Sequence, residues 1–268
     1  MKDRTEPARA EPEPDGPPAA RPPLIREFLL VAGLFLVYKE GRRLAIGHTR
    51  HALDDAHGVW DLERALRLPS ETGVQSALLH SDALVHVANT YYATVHFPAT
   101  VAFLVWTYLR RPAHYIWARR ILAAVTGAAL VFPFAFPLAP PRMLSGTGLV
   151  DTGRVYGPSV YGPPATDHLS NQYAAMPSLH FGWALMVAIG LIVATRSPWR
   201  WLWLLHPLVT LAVIVGTANH YWLDSIVATA LLGTALALVH PPHRTSTTAG
   251  RGTGQLTPQD PTLVGAGR

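Results

Sequence analysis

Apolar stretches close to the thickness of a bilayer decide what this chain can fold into. A helix that crosses hydrocarbon needs about 20 mainly apolar residues, because its backbone polar groups must all bond within the segment. Such stretches recur at 24–38, 83–109, 121–138, 179–195, 201–218 and 221–239. The first is the shortest in uncharged length, and its flanking Arg26, Glu27 and Lys39 must snorkel. Only 15% of the residues are charged, against roughly 25% in a soluble domain. The sequence therefore predicts an all-α fold, a polytopic membrane bundle of about six transmembrane helices within residues 24–240. Residues 1–23 and 241–268 are rich in Pro, Ala, Gly, Thr and charge, and read as disordered tails. The first of these is too polar for a secretory signal peptide.

The net charge of +5 does not point to nucleic acid, because the arginines flank apolar blocks as membrane topology requires. Arg110, Arg111, Arg119 and Arg120 fall between the second and third stretches. Arg196 and Arg200 fall between the fourth and fifth, and His243 and Arg244 follow the sixth. The positive-inside tendency places these sites and both tails in the cytoplasm of a plasma-membrane protein, and the segments 39–82, 139–178 and 218–220 outside. In the first outer segment, Leu53, Ala56, Val59, Trp60 and Leu66 have near-helical spacing, which fits an amphipathic helix on the membrane surface. The second is long and rich in Gly, Pro and Tyr, with the near-repeat Val155-Tyr156-Gly157-Pro158 and Val160-Tyr161-Gly162-Pro163. It reads as an ordered lid made of turns. There is no cysteine, hence no disulfide and no thiolate metal site.

Ionisable residues are expensive in a membrane helix and usually functional. Asp224 lies one turn into the sixth stretch, and His220 precedes it by four residues on the same helix face. A carboxylate there fixes the imidazole tautomer and supports an imidazolium, which suits a nucleophile or a base. A simple N-terminal cap is the bland alternative. Met176-Pro177-Ser178-Leu179-His180 opens the fourth stretch, where exposed helix amides and the Ser178 hydroxyl suit an anion. His180 then stands at the same membrane level as His220. Asp82, His86, Asn89, Ala93 and His96 share one face of the second stretch, suited to interhelical hydrogen bonds or to a part in the site.

Met176–His180, followed by Asn219-His220-Tyr221-Trp222-Leu223-Asp224, resembles the second and third motifs of the type-2 phosphatidic acid phosphatase superfamily. The nearer likeness is to its branch of inositol phosphorylceramide synthases, which are inositolphosphotransferases. Asn89-Thr90-Tyr91-Tyr92-Ala93-Thr94-Val95-His96-Phe97-Pro98, Pro140-Pro141-Arg142, and Leu62-Glu63-Arg64 ahead of Glu71 and Gln75 also look like that branch. The resemblance spans about residues 28–240. It implies a six-helix bundle with an extracytoplasmic site acting on a membrane lipid phosphate without metal or other cofactor. His220 would attack phosphorus to form a phosphohistidine, Asp224 would orient it, and His180 would protonate the leaving oxygen.

Two cations of the usual superfamily motifs are missing, since Ala135 and Ile214 stand in their places and Leu179 replaces a usual glycine. A phosphoryl transition state spreads negative charge over three oxygens and needs donors. Arg142 is the first candidate, with Arg154, His168 and Lys39 behind it, and Ser178 and Asn219 as further substrate-binding residues. The loss shifts weight from simple hydrolysis towards transfer from a diester or diphosphate donor. Two other functions compete: a proton-coupled transporter using intramembrane His and Asp, and a metal-dependent membrane hydrolase needing third and fourth ligands nearby.

Overall fold

Helix follows the apolar periodicity, and proline decides where it breaks. A computed structural model describes residues 21–44, 49–162 and 172–242. The expected tails at 1–20 and 243–268, and His168 of the lid, lie outside the described residues, as does the side chain of Lys39. The helices are α1 (Leu24–Leu44), α2 (Thr49–Ala65), α3 (Glu71–Leu78), α4 (Asp82–Thr94), α5 (His96–Arg110), α6 (Pro112–Ala129), α7 (Phe132–Ala135), α8 (Thr152–Tyr156), α9 (Leu179–Ala194), α10 (Leu205–Gly216) and α11 (Trp222–Leu238). Short 3-10 turns occupy Pro141–Met143 and Pro198–Leu204. The described residues contain no strand, only a parallel bridge between Leu138 and Ala174. The fold is all-α.

Several boundaries differ from the sequence reading. The stretch 83–109 is two helices meeting at Val95, because Pro98 has no N–H to donate to the Thr94 carbonyl. The third stretch starts at Pro112, a proline at the first helical position. Arg119 and Arg120 therefore lie within α6 and not in the loop before it. Arg119 is held there by an ion pair with Glu27 of α1, whose carboxylate also accepts from the Tyr115 hydroxyl. The lid is not turns alone: Asp151 caps α8 by accepting from Arg154 N at 3.1 Å. The apolar face of α2 is not open to a membrane surface, since Ala52, Ala56 and Val59 pack on Leu138, Ala139, Leu144 and Tyr221.

The main core lies between α5, α6, α9 and α11, around Phe103, Trp117, Ile121, Met186, Leu191 and Leu232. Gly190 lets α9 approach α5 closely. A Cβ on it would stand 2.4 Å from the Phe103 ring, so a side chain there displaces that ring or parts the helices. Two helical stretches, Pro112–Ala135 and Pro198–Gly216, are long and apolar enough to cross a membrane, and α9 and α11 are shorter apolar helices. Leu24, Ile25, Phe28 and Leu29 of α1 are exposed, as are Trp199, Trp201 and Trp203 beside Arg200.

Candidate active site

The turn from α10 to α11 carries His220 in a tightly bonded frame. Ala218 N donates to Val215 O at 2.9 Å, and Asn219 N to Ile214 O at 3.0 Å. These are the two bonds of a Schellman ending, with Ala218 in the left-handed region at φ +53°. Glycine usually sits there, because a Cβ costs about 1–2 kcal/mol in that conformation. His220 N also donates to Ile214 O, at 3.1 Å. The place that lacks the superfamily's arginine thus contributes its carbonyl to the turn, while its side chain is buried.

His220 is nearly buried, and its Nδ1 faces two acceptors: Ala175 O at 2.9 Å and Asp224 Oδ2 at 3.0 Å. Two acceptors at one ring nitrogen require the proton there, which leaves the Nε2 lone pair free for a ligand. Asp224 is fully buried. Its Oδ2 also accepts from Tyr221 N at 2.9 Å, and its Oδ1 has no hydrogen-bond partner among the described residues. Ser178, also fully buried, caps α9 by accepting from Phe181 N at 3.4 Å, and its own amide donates to the Asp224 carbonyl. These bonds tie the start of α9 to the first turn of α11.

His180, the second residue of α9, stands with its ring centroid 5.7 Å from that of His220. It is sandwiched between Tyr92, stacked at 4.4 Å, and His96 at 4.1 Å. His96 and Tyr92 were not singled out as site residues in the sequence. The polar stripe on 82–96 is the signal for His96, and Tyr92 lies in the 89–98 stretch that carries the resemblance; the stripe divides, because His96 joins the histidines while Asn89 holds the lid. Asn89 donates to Thr152 O at 2.9 Å and Gly157 O at 3.0 Å, and accepts from the Thr152 hydroxyl at 2.8 Å.

Two cavities meet at Tyr161. The first, of about 300 Å³, is lined by His96, His180, His220, Trp183 and Met176. The second, of about 430 Å³, is lined by Arg142, Asp151, Arg154, Ser159 and Gln172. Tyr161 lines both and shares a 2.9 Å hydroxyl contact with Tyr92. Arg142 thus borders the neighbouring cavity and not the one with the histidines. Its NH1 donates to Asn219 Oδ1 at 2.6 Å, its Nε lies 3.6 Å from Asp151 Oδ2, and its guanidinium sits 4.6 Å over the Tyr161 ring. Asn219 thereby links Arg142 to the histidine turn, as does the Arg142 amide, which donates to Ala218 O at 3.0 Å, and Arg154 is exposed at the cavity edge. Among the described residues, no three His, Asp or Glu side chains are grouped as metal ligands.

The model of the PAP2 superfamily matches residues 57–238, more than half of the chain and all of the residues above. The chain belongs to the PAP2 superfamily. PAP2 proteins are phosphatases and phosphotransferases, so membership supports an enzyme acting on phosphoesters. No curated protein and no solved structure shows a significant match to the chain. Within the PAP2 frame, the paired histidines and buried aspartate occupy the ends of helices that the match includes.

Proposed function

We propose that this protein is an integral membrane lipid-phosphate phosphatase or phosphotransferase that works through a phosphohistidine. The observation that carries this reading is the pair of acceptors at His220: Nδ1 meets Asp224 and Ala175, which leaves Nε2 as the free nitrogen of a ring lining the same cavity as His180. The Nε2 lone pair attacks phosphorus as the bond to the leaving oxygen breaks, and imidazolium His180 gives that oxygen its proton. Asp224 stabilises the positive charge that develops on His220. In the second half, neutral His180 takes a proton from the attacking water or alcohol, its oxygen bonds to phosphorus, and His220 is released.

A lipid substrate is supported by a third, apolar cavity of about 370 Å³ between α1, α5 and α6, which shares Phe97, Leu130 and Trp183 with the histidine cavity. A hydrocarbon chain in it would bring its phosphate to His220. The polar cavity around Arg142 suits a hydroxyl-rich headgroup or acceptor, which favours the inositolphosphotransferase-like branch over simple hydrolysis. The reading includes six spans, with α4 and α5 together as one, both tails in the cytoplasm and the site on the extracytoplasmic side of the plasma membrane. The exposed apolar faces and the tryptophans near Arg200 support the membrane setting.

The test is rapid-quench labelling of purified protein with a lipid phosphate or phosphodiester carrying its label on phosphorus. An acid-labile phosphoprotein, lost in His220→Ala and insensitive to chelator, is the expected result. Activity lost to chelator and restored by zinc or magnesium would move the assignment to a metal hydrolase. No turnover together with proton-coupled uptake in vesicles would move it to a transporter.

A further inference from the structure

The residues on either side of the His220 turn are gripped by a hairpin far away in sequence. Helices α2 and α3 place Glu63, Glu71 and Gln75 in the interior, with Glu63 and Glu71 fully buried. Gln75 Nε2 donates to Gly216 O, at the end of α10, at 3.2 Å. Glu63 Oε1 accepts from Leu223 N, in the first turn of α11, at 2.8 Å. That amide is one of the unsatisfied donors of a helix start, which a side chain at the cap position ordinarily takes. Tyr221 stands at the cap, and Glu63 does this work from 160 residues away.

The remaining carboxylate oxygens show how the grip is charged. Glu71 Oε2 accepts from Arg64 NH2 at 2.5 Å. Glu63 Oε2 and Glu71 Oε1 are both buried with no donor to bond among the described residues, although the two side chains interact with one another. Two buried carboxylate oxygens without a donor, on side chains that interact, are costly unless one of them carries a proton. A proton on Glu63 Oε2 satisfies both atoms. It produces an unbroken line: Arg64 donates to Glu71, protonated Glu63 donates to Glu71, and the Leu223 amide donates to Glu63. The line is neutral overall, so no uncompensated negative charge is added beside Asp224 and a site meant for phosphate.

We infer that Glu63 is a positioning residue, held in its protonated form against Glu71, and that with Gln75 it fixes the turn bearing His220. Its role in turnover rests on the proposed activity, whereas the proton does not. Burial, and then Glu71, push the Glu63 carboxyl up to about 9. The charged and titratable groups that face it are Arg64 on its own helix, Glu71 from α3, and Asp224 and Tyr221 from α11 and its turn. Between the ordinary carboxylate range and that value the folded protein holds a proton that the unfolded chain has lost. Stability therefore falls as pH rises across the window.

Glu63→Gln decides the matter, because an amide supplies the same acceptor to Leu223 and the same donor to Glu71 without titrating. The full chain in detergent or nanodiscs is compared with this variant and with Glu63→Asp, which keeps the carboxyl but shortens its reach. Infrared difference spectra at neutral pH should show a protonated-carboxyl C=O band in the wild type that Glu63→Gln lacks. Thermal stability from about pH 6 to about pH 9 should fall in the wild type relative to Glu63→Gln. With a lipid phosphate, Glu63→Gln should keep kcat within about twofold, while Glu63→Asp should lose about tenfold in kcat with KM little changed. A missing band, or equal pH slopes in wild type and Glu63→Gln, overturns the shared proton. Glu63→Gln turnover as poor as that of Glu63→Asp, or a loss confined to KM, overturns the positioning role. If no phosphoester turns over in any variant, the proposed activity fails, and the infrared and stability arms still decide the proton.

Discussion

The two cavities that meet at Tyr161 are built on opposite principles. In the histidine cavity the His180 ring is held by aromatic neighbours and the His220 ring by two acceptors that share its Nδ1 hydrogen, so their geometry is set before any ligand arrives. In the Arg142 cavity the cation is held by Asn219, Asp151 and Gln172, and its wall is the Gly- and Tyr-rich lid. On the proposed reading, the first makes and breaks the bond to phosphorus and the second recognises charge and hydroxyls. Asn219, Tyr161 and the bond from Arg142 N to Ala218 O join the two cavities, so on the proposed reading the recognition side and the nucleophile are separate but coupled.

Substitutions on each side separate the two tasks. His220→Ala should have the largest effect, abolishing the phosphoenzyme and lowering kcat by about 10⁴ or more, as loss of a nucleophile does. Quenched labelling reads it directly, and a normal melting curve should accompany it. Asp224→Asn comes next, with a loss of up to about 10⁴ in kcat, because an amide cannot hold the imidazole tautomer in the same way or balance an imidazolium. Labelling that persists at wild-type rate in this variant would leave Asp224 as a cap alone.

The sequence made this pair legible because His220 precedes Asp224 by four residues at a helix start, and His180 because it follows a proline-led helix start. All-helical architecture was legible for a similar reason, since apolar runs of this length have few other folds. The rest depended on contacts that no local pattern carries. Glu63 reaches Leu223 from another helix pair, and Arg142 reaches the turn through Asn219. The break at Val95 had a local signal in Pro98, but it lay inside an apolar run that continues on both sides. Arg119 and Arg120 followed the rule that arginines sit in loops, and the partner that draws Arg119 into α6, Glu27, belongs to a different helix.

On the recognition side, Arg142→Ala should lower kcat/KM by about 10–100-fold, the scale for losing a charge-assisted hydrogen bond to a bound group. Arg142→Lys should recover only part of it, because an ammonium cannot serve Asn219 and a phosphate oxygen with one planar fork. Steady-state kinetics with a fixed lipid and varied acceptor would show whether the loss follows the acceptor. The smallest effect is expected of Tyr161→Phe. It removes the hydroxyl contact with Tyr92, worth about 1 kcal/mol, so about fivefold in kcat/KM. A much larger loss would mean that the two cavities act as one.

Gly190 has a consequence beyond packing. His96 begins α5 and His180 lies at the start of α9, so the spacing of these two helices is also the spacing of two rings in the site. Phe103 rests on the bare backbone of Gly190, about 15 Å along α9 from His180. The pair of helices behaves as a caliper whose screw is a missing methyl group. Gly190→Ala turns that screw and should open the jaws at His96 and His180 while every residue of the site keeps its identity.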